Sequence, residues 1–370
     1  MAETGCADVV IIGAGVIGSA IAYTLARSTQ RRIIVVERGT PGCEASNAAA
    51  GVLAVSSGQA RQGALLDLRR RSAAMFPALV AALEDETGMD PGYRRDGLIA
   101  LAFAEEEAEA LRDLVQHRQG QGLRCELLTR SDVQALEPEV SSRICAGALF
   151  PDDCSIDSER LVAALVAAAQ RRGVECRLGT AVQAISQANG AVQLQLDTGA
   201  LEAGRAVVAA GAWSGELLAS LGVKVPLRPA RGEMAAVQRC EWELHHTVSA
   251  GMGYLVPRGG EVLIGSTTAF VGFDKRVTAE GVATLLANAA VMVPRLGAAV
   301  PARSWAGLRP CPTIRRPIIA PLPGFEHVLL ATGHHRNGIL LAPITAQLVA
   351  ELISGTAPTV PLQPFSYRRH

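Results

Sequence analysis

The residues with the clearest chemical meaning are three glycines near the start of the chain. Gly13, Gly15 and Gly18 form a G-x-G-x-x-G motif that directly follows the apolar run 9–12 and precedes a helix predicted over 19–28. The first glycine permits a tight turn, the second lets the backbone approach a pyrophosphate, and the third lets the helix pack on the strand. The free N–H groups and the dipole of the helix N-terminus favour phosphate. The motif therefore predicts a dinucleotide site.

An acidic residue stands where such a site needs one. A second strand predicted over 32–36 ends at Glu37, about 20 residues beyond the glycines. A carboxylate at this position accepts hydrogen bonds from both ribose hydroxyls and repels a 2′-phosphate. The order strand, glycines, helix, strand, acid favours a dinucleotide over an ordinary glycine-rich turn, but it does not distinguish NAD from FAD.

Composition and charge limit the class of protein. Hydrophobic residues make up 49% and charged residues 19% of the chain, which suits a large core. The 35 basic residues balance the 35 acidic ones, so neither nucleic acid nor an anionic membrane is an expected partner. The eight cysteines are scattered, which predicts no metal site and a reducing, cytoplasmic location. The glycine-interrupted apolar stretch 9–26 predicts strand, turn and helix rather than a signal or membrane span.

Two later segments repeat the pattern of an apolar strand that enters a turn of small residues. One is 207–214, which contains Gly211, and the other is 328–333, which is followed by a helix predicted over 344–353. Small residues at such turns allow close approach of a ligand to the backbone. Together with the first motif, these turns predict one long ligand at the edge of one sheet.

These segments together resemble the D-amino-acid-oxidase-like family of flavoproteins, over nearly the whole chain. The small-residue loop 46–53 and the C-terminal segment 333–340 are similar to the parts of that family that contact FAD. The segments 253–258, 263–267, 272–274 and 305–310 are similar to its glycine-oxidising members. The chain departs from the family pattern over 311–316, and by a histidine at position 335.

The resemblance implies an α/β fold in two domains. A Rossmann-like FAD-binding domain, a parallel sheet with helices, is expected to comprise 1–85, 150–222 and 307–370. An α+β substrate-binding domain with a mostly antiparallel sheet is expected over 86–149 and 223–306. The alternating pattern of the strands predicted over 233–238, 253–258 and 262–267 suits an antiparallel sheet.

The resemblance also implies FAD as the cofactor, bound without a covalent link. Cys311 is an alternative point of covalent attachment, although a small buried cysteine is the commoner explanation of such a residue. The residues expected to contact FAD are Gly13, Gly15, Val16, Ile17, Gly18, Glu37, Arg38, Ala45, Ser46, Ala50, Gly51, Val52, Val182, Gly211, His334, His335, Arg336, Asn337, Gly338, Ile339 and Leu340.

The implied activity is oxidation of glycine, with sarcosine and small D-amino acids as further substrates. Arg309 is the candidate to bind the substrate carboxylate, because a guanidinium presents a planar fork to two oxygens. Tyr254 is expected to add a hydroxyl, and Arg336 to face the flavin or support Arg309. Each of the three also has a structural alternative, as an internal ion pair, a core tyrosine or a turn cap. No acid–base catalyst is obligatory, since the flavin accepts the hydride.

Three functions remain open at this stage. The first is an oxidase that forms an imine, then glyoxylate and ammonia, reduces O₂ to H₂O₂, and serves thiamine thiazole synthesis as a homo-oligomer, dimer or tetramer. The second is a glycine or D-amino-acid dehydrogenase that passes electrons to a quinone or a partner protein. The third is a flavin-containing binding or tRNA-modifying protein, which the context of Arg309 and Tyr254 disfavours. Peroxide formation distinguishes the first from the second.

Overall fold

A computed structural model describes residues 6–58, 62–188, 190–238 and 242–367. Over these residues the chain forms eight α-helices: α1 Val16–Ser28, α2 Ala64–Thr87, α3 Glu105–Gly120, α4 Arg130–Leu136, α5 Ser158–Arg171, α6 Ser214–Ala219, α7 Ala279–Met292 and α8 Gly338–Ser354. The strands of the same residues are β1 Cys6–Ile12, β2 Ile33–Glu37, β3 Val52–Leu53, β4 Leu98–Ala102, β5 Glu126–Leu128, β6 Ala146–Phe150, β7 Cys154–Ser155, β8 Glu175–Leu178, β9 Val182–Ala188, β10 Ala191–Leu196, β11 Gly199–Val208, β12 Leu227–Gln238, β13 Thr247–Ala250, β14 Gly253–Arg258, β15 Glu261–Gly265, β16 Pro301–Pro312, β17 Ile318–Leu322 and β18 Phe325–Thr332.

The first sheet has the order β17-β18-β11-β1-β2-β8, in which the strands from β18 to β8 are parallel and β17 pairs with β18 in antiparallel orientation. β1 pairs in parallel with both β11 and β2, and the apolar run 9–12 is buried. A strand whose two faces are both covered is apolar at consecutive positions. One face packs on α1, α2, α5 and α8. The antiparallel β9–β10 hairpin and α6 cover the other.

The second sheet has the order β16-β12-β15-β14-β13-β4-β6-β5. Its pairs are antiparallel except for β13 with β4. Helices α4 and α7 contribute to the core on one of its faces. The fold class predicted from the sequence is therefore confirmed: a parallel sheet with helices, and a second, mostly antiparallel sheet.

Several predicted boundaries moved once the elements were assembled. Helix α1 begins at Val16, inside the glycine motif, and α8 begins at Gly338 rather than at 344. Gly338 and Pro343 disfavour a helix locally, but Ile339 and Leu340 are buried, and their packing overrides that propensity. The predicted domain boundary at 307 falls inside β16, which pairs with β12 along its whole length. The division into two domains stays a prediction.

Helix α8 is apolar over most of its length. Residues 335–354 are long and apolar enough to cross a membrane by those two criteria alone, and 67% of the most apolar stretch is buried in the protein. The helix packs on α1 and α2. Its apolar character is thus explained by its position in the core.

Candidate functional site

A cavity of about 1300 Å³ is lined by residues of both sheets. From the first sheet it receives the turn after β1, the end of β2 and the segment between β18 and α8. From the second sheet it receives residues of β12, β14 and β16, including Tyr254 and Arg309. Ligands of open α/β sheets bind outside the carboxyl ends of the parallel strands, and this cavity has that location.

The glycine motif is sterically obligatory in this structure. Gly13 has a φ of +104°, and a Cβ on it would lie 2.7 Å from the carbonyl oxygen of Ala209. A Cβ on Gly18 would lie 1.8 Å from the carbonyl oxygen of Gly13, so the helix and the turn pack backbone to backbone. Helix α1 begins with Gly15 as its N-cap, and this N-cap makes no side-chain hydrogen bond. The N–H of Val16 is bound by the hydroxyl of Ser46, and the N–H groups that follow it in the first turn point out of the helix end, where a ligand can accept from them.

Glu37 and Ser46 hold the shape of this turn. The Glu37 carboxylate accepts hydrogen bonds from the backbone N–H of Ala14 at 2.8 Å and of Gly39 at 2.9 Å. The hydroxyl of Ser46 accepts one from the N–H of Val16 at 2.9 Å. A carboxylate has about four acceptor positions, so Glu37 retains capacity for ribose hydroxyls.

The loop 45–53 reaches the cavity from the first sheet but is held by the second. The guanidinium of Arg258, on β14, donates to the carbonyl oxygens of Ala50 at 2.6 Å and Ile156 at 2.7 Å. The indole of Trp305, on β16, donates to the carbonyl of Ala48 at 3.1 Å. The second sheet therefore positions the loop that forms one wall of the cavity.

Helix α8 presents a second helix N-terminus to the cavity, after a 3₁₀ turn over His335–Asn337. Its N-cap, Asn337, makes no side-chain hydrogen bond to the first turn. Of the segment before it, His334 is 3% exposed and its Nε2 lies 3.0 Å from the hydroxyl of Thr345. Burial lowers the pKa of His334 to about 3, so its ring is neutral.

Arg309 lies three residues before the end of β16 and lines the cavity. It donates to the carbonyl oxygen of Thr267 at 3.1 Å and to the hydroxyl of Ser266 at 2.8 Å. Burial lowers the pKa of its guanidinium, and its electrostatic neighbours are Tyr254, Arg336 and Cys311. Among the described residues no carboxylate neutralises this enclosed cation, which makes it a binding position for an anion.

Two glycines provide the space that Arg309 and Tyr254 occupy. A Cβ on Gly232, the neighbour of Arg309 on β12, would lie 2.1 Å from its Nη2. A Cβ on Gly265 would lie 2.3 Å from the Tyr254 ring. The Tyr254 hydroxyl lies 3.5 Å from the sulfur of Met234, a weak acceptor. The tyrosine hydroxyl is thus available to a stronger partner.

Positive charge and a neutral imidazole stand next to Arg309. Arg336 donates to the hydroxyl of Thr268 at 3.0 Å. Burial, Arg309 and Arg336 lower the pKa of His335 to about 4. Cys311 lines the same cavity. The four side chains belong to two segments, the end of β16 and the turn before α8, which the topology brings together.

The structure brings nearly all of the sequence-predicted site residues to this one cavity. Of the residues predicted to contact FAD or substrate, all line it except Gly18, which packs underneath the turn. Arg38 has an additional role, since its Cζ lies 3.7 Å from the centre of the Trp213 ring and it forms an ion pair with Glu44. These are positions; the roles predicted for the residues stay predictions.

Sequence reasoning missed the partners of Arg309, and also Arg258. Gly232 carried a usable signal, because an isolated glycine beside an alternating strand indicates close approach of another group. Ser266, Thr267 and Arg258 lie in segments of the family pattern, but no residue pattern indicated their contacts, which arise only through strand pairing.

Comparison with known proteins identifies the class. The family of FAD dependent oxidoreductases matches residues 8–352. The chain therefore belongs to this family, and FAD is its cofactor. The described cavity suits FAD. Gly13, Gly15 and Glu37, together with the N-termini of α1 and α8, would hold the cofactor there.

Individual relatives are similar to this chain over almost its full length. Glycine oxidase of Geobacillus kaustophilus (strain HTA426) is 38% identical over 369 residues, which are 98% of this chain and 97% of that protein. The crystal structure of glycine oxidase from Geobacillus kaustophilus matches with a TM-score of 0.96 and 36% identity, covering 99% of this chain and 100% of that one. The bifunctional protein ThiO/ThiG of Trichormus variabilis is 35% identical over 371 residues, 98% of this chain and 55% of that protein.

Proposed function

We propose that this protein catalyses the FAD-dependent oxidative deamination of glycine, and also accepts sarcosine and small D-amino acids. The observation that carries the proposal is the enclosed Arg309, which has neutral hydrogen-bond acceptors but no carboxylate partner among the described residues. Glycine oxidases of similar length and sequence support the choice of substrate. The products are an imine, which hydrolyses to glyoxylate and ammonia, and H₂O₂ formed from O₂.

The protein's own residues bind and orient the amino acid. Arg309 offers two N–H donors to the carboxylate and keeps its charge when enclosed. The Tyr254 hydroxyl donates a third hydrogen bond to the same carboxylate, and Arg336 adds positive charge. When bound, FAD accepts the hydride from the α-carbon. Holding the carboxylate fixes the direction of the α-carbon, and such orientation supplies much of the rate.

The close packing around Arg309 and Tyr254 supports a small substrate. Gly232 and Gly265 are in contact with these two side chains, so the wall behind the carboxylate site is closely packed. A larger side chain would need to displace packed atoms, which costs about 1–3 kcal/mol. This packing supports glycine and other small amino acids as substrates.

We further propose that this activity supplies the synthesis of the thiamine thiazole in the cytoplasm. The support is the similarity to a protein that carries both ThiO and ThiG in one chain, of which the present chain matches 55%. Growth without thiamine in a deletion strain, with and without a plasmid copy of this protein, tests the proposal.

The activity is tested by mixing the purified, FAD-containing protein with glycine, first without oxygen and then in air. We expect bleaching of the flavin absorbance without oxygen, and peroxide together with glyoxylate in equal amounts in air. Bleaching without peroxide would instead indicate a dehydrogenase that uses another electron acceptor. An unbleached flavin, or faster bleaching by a bulky apolar D-amino acid than by glycine, would contradict the proposed substrate.

A further inference from the structure

Four arginines surround the substrate end of the cavity without a carboxylate partner. Arg315, Arg316 and Arg336 line the cavity, and Arg228 stacks on Phe270, which also lines it, with its Cζ 4.6 Å from the ring centre. All four are exposed. In the described part of the chain none of them forms an ion pair, in contrast to the exposed Arg276, Arg295 and Arg303.

The fold gathers these arginines from three separate segments. Arg228 pairs in register with Cys311, at the end of β16. Arg315 and Arg316 lie in the turn that follows β16, between it and β17. Arg336 follows β18 and binds Thr268, two residues before Phe270. We call these four arginines the basic rim.

The acidic residues near the cavity do not neutralise the basic rim. Three carboxylates line the cavity: Glu37, Glu44 and Glu216. Glu37 binds the backbone of the glycine turn, Glu44 forms ion pairs with Arg38 and Lys275, and Glu216 lies on α6 beside the Arg38–Trp213 stack. Asp274, on the loop that carries Phe270, forms ion pairs with Arg231 and Arg276. The substrate end is therefore a region of positive potential.

One carboxylate does not account for this charge. A glycine carboxylate held by Arg309 compensates a single guanidinium, and the basic rim remains unpaired outside it. Like charges held together repel, and a cavity lined by one sign of charge attracts the opposite sign. The rim therefore calls for further negative charge on the ligand.

We propose that the basic rim binds a second carboxylate, so that the preferred substrates are amino acids with two carboxylates. The inference rests on the proposed function, because the first carboxylate is the one assigned to Arg309. The second carboxylate belongs either to a substituent on nitrogen, as in iminodiacetate, or to the side chain of an acidic D-amino acid.

The chemistry balances with the reactants already named. Oxidation breaks one C–H bond at the α-carbon and one N–H bond, and moves two electrons to FAD with formation of a C=N bond. Water then adds to the imine. Iminodiacetate gives glyoxylate and glycine, D-aspartate gives oxaloacetate and ammonia, and O₂ takes up the two electrons and two protons as H₂O₂.

The test uses the double variant Arg315→Gln/Arg316→Gln in the FAD-containing protein. Its matched control is Arg70→Gln/Arg71→Gln, two adjacent exposed arginines of α2 that do not line the cavity. Binding of acetate, with one carboxylate, and of diglycolate, with two, is measured from the change in flavin absorbance. Kinetics with glycine, iminodiacetate and D-aspartate follow.

We expect the parent to bind diglycolate more tightly than acetate. In the rim variant the Kd of diglycolate should rise about five- to ten-fold, as for the loss of two exposed ion pairs, and that of acetate less than about two-fold. Added salt should weaken diglycolate binding in the parent more than in the variant. The kcat/KM of the rim variant should fall more for one of iminodiacetate and D-aspartate than for the other. The substrate with the larger fall identifies the position of the second carboxylate.

Several results would overturn the inference. The parent would bind acetate and diglycolate with equal affinity, or the rim variant would lose affinity equally for both. The control variant would lose as much affinity for diglycolate as the rim variant, or the rim variant would release its FAD. The binding arm is independent of turnover. If glycine is not oxidised while diglycolate still depends on the rim, the proposed function fails and the rim assignment stands.

Discussion

Arg309 is the side chain on which the proposed substrate binding depends. Its guanidinium is enclosed, its acceptors are Thr267 and Ser266, and no described carboxylate compensates its charge. A cation in this state costs stability and is retained where a ligand supplies the opposite charge. Replacement of Arg309 is therefore expected to weaken substrate binding without a matching loss of folding stability.

Replacement of Arg309 separates these two effects. Arg309→Met should lower kcat/KM for glycine about 10- to 100-fold, because a charged hydrogen bond is worth about 1.5–3 kcal/mol. Arg309→Lys keeps the charge without the fork and should lie between parent and Met variant. The loss of an uncompensated cation offsets the loss of two hydrogen bonds, so Tm should stay within about 4 °C. Kinetics, acetate titration and melting curves on both variants measure this.

The outcome that would remove Arg309 from the substrate site is specific. The Arg309→Met variant would keep the parental kcat/KM and the parental affinity for acetate. Alternatively, its lost activity would be explained by a large fall in Tm and by loss of FAD.

The pairing of β12 with β16 decides where Arg309 points. Gly232 lies opposite Gly307 in this register, two positions from the partner of Arg309, and its missing Cβ leaves room for the guanidinium. A methyl group there would meet the far end of a flexible side chain rather than backbone. The arginine would give way, and function rather than folding would suffer.

Gly232→Ala tests this dependence of the site on one strand pair. We expect kcat/KM for glycine to fall at least about ten-fold, because displacement of a positioning group by about 1 Å costs up to 100-fold. The melting temperature should change little. Gly297→Ala is the matched control, since its Cβ would lie at an ordinary 3.6 Å from Ala290. A Gly232→Ala enzyme with parental kinetics would show that close packing at Gly232 does not govern the position of Arg309.

The stability of the whole molecule is coupled to pH through the turn before α8. Burial lowers the pKa of His334 to about 3, and burial with two arginines lowers that of His335 to about 4. An unfolded histidine has a pKa of about 6.5. Below that pH the two histidines bind protons in the unfolded chain but stay neutral in the folded chain. The folded state therefore loses stability as pH falls.

His334→Gln should reduce this loss. For the parent, the buried His334 alone accounts for about 2 kcal/mol of unfolding free energy between about pH 6.5 and pH 5. Glutamine retains a polar group for Thr345 but does not titrate. Denaturant unfolding of both proteins across this pH range measures the slopes, and the variant should show the flatter one. Equal slopes would mean that His334 is not neutral in the folded protein at about pH 5.

The sequence by itself determined the dinucleotide turn. The spacing of Gly13, Gly15 and Gly18 and the acid at Glu37 express contacts between the start of a helix and the strands beside it, so a linear pattern is sufficient to predict them. The continuous apolar run 9–12 likewise indicated a strand of a parallel sheet. The fold of two sheets as a whole was implied by the family resemblance. The segments of the family pattern placed Arg309 and Tyr254 among the site residues.

Only the tertiary structure decided what surrounds those residues. The partners of Arg309 come from β12 and from the segment after β15, and the basic rim comes from three segments as far apart in sequence as Arg228 and Arg336. The start of α8 at Gly338 depended on the burial of its first turn, which overrode glycine and proline. Contacts between distant segments depend on strand register and packing, and neither is encoded in the spacing of residues along a single segment.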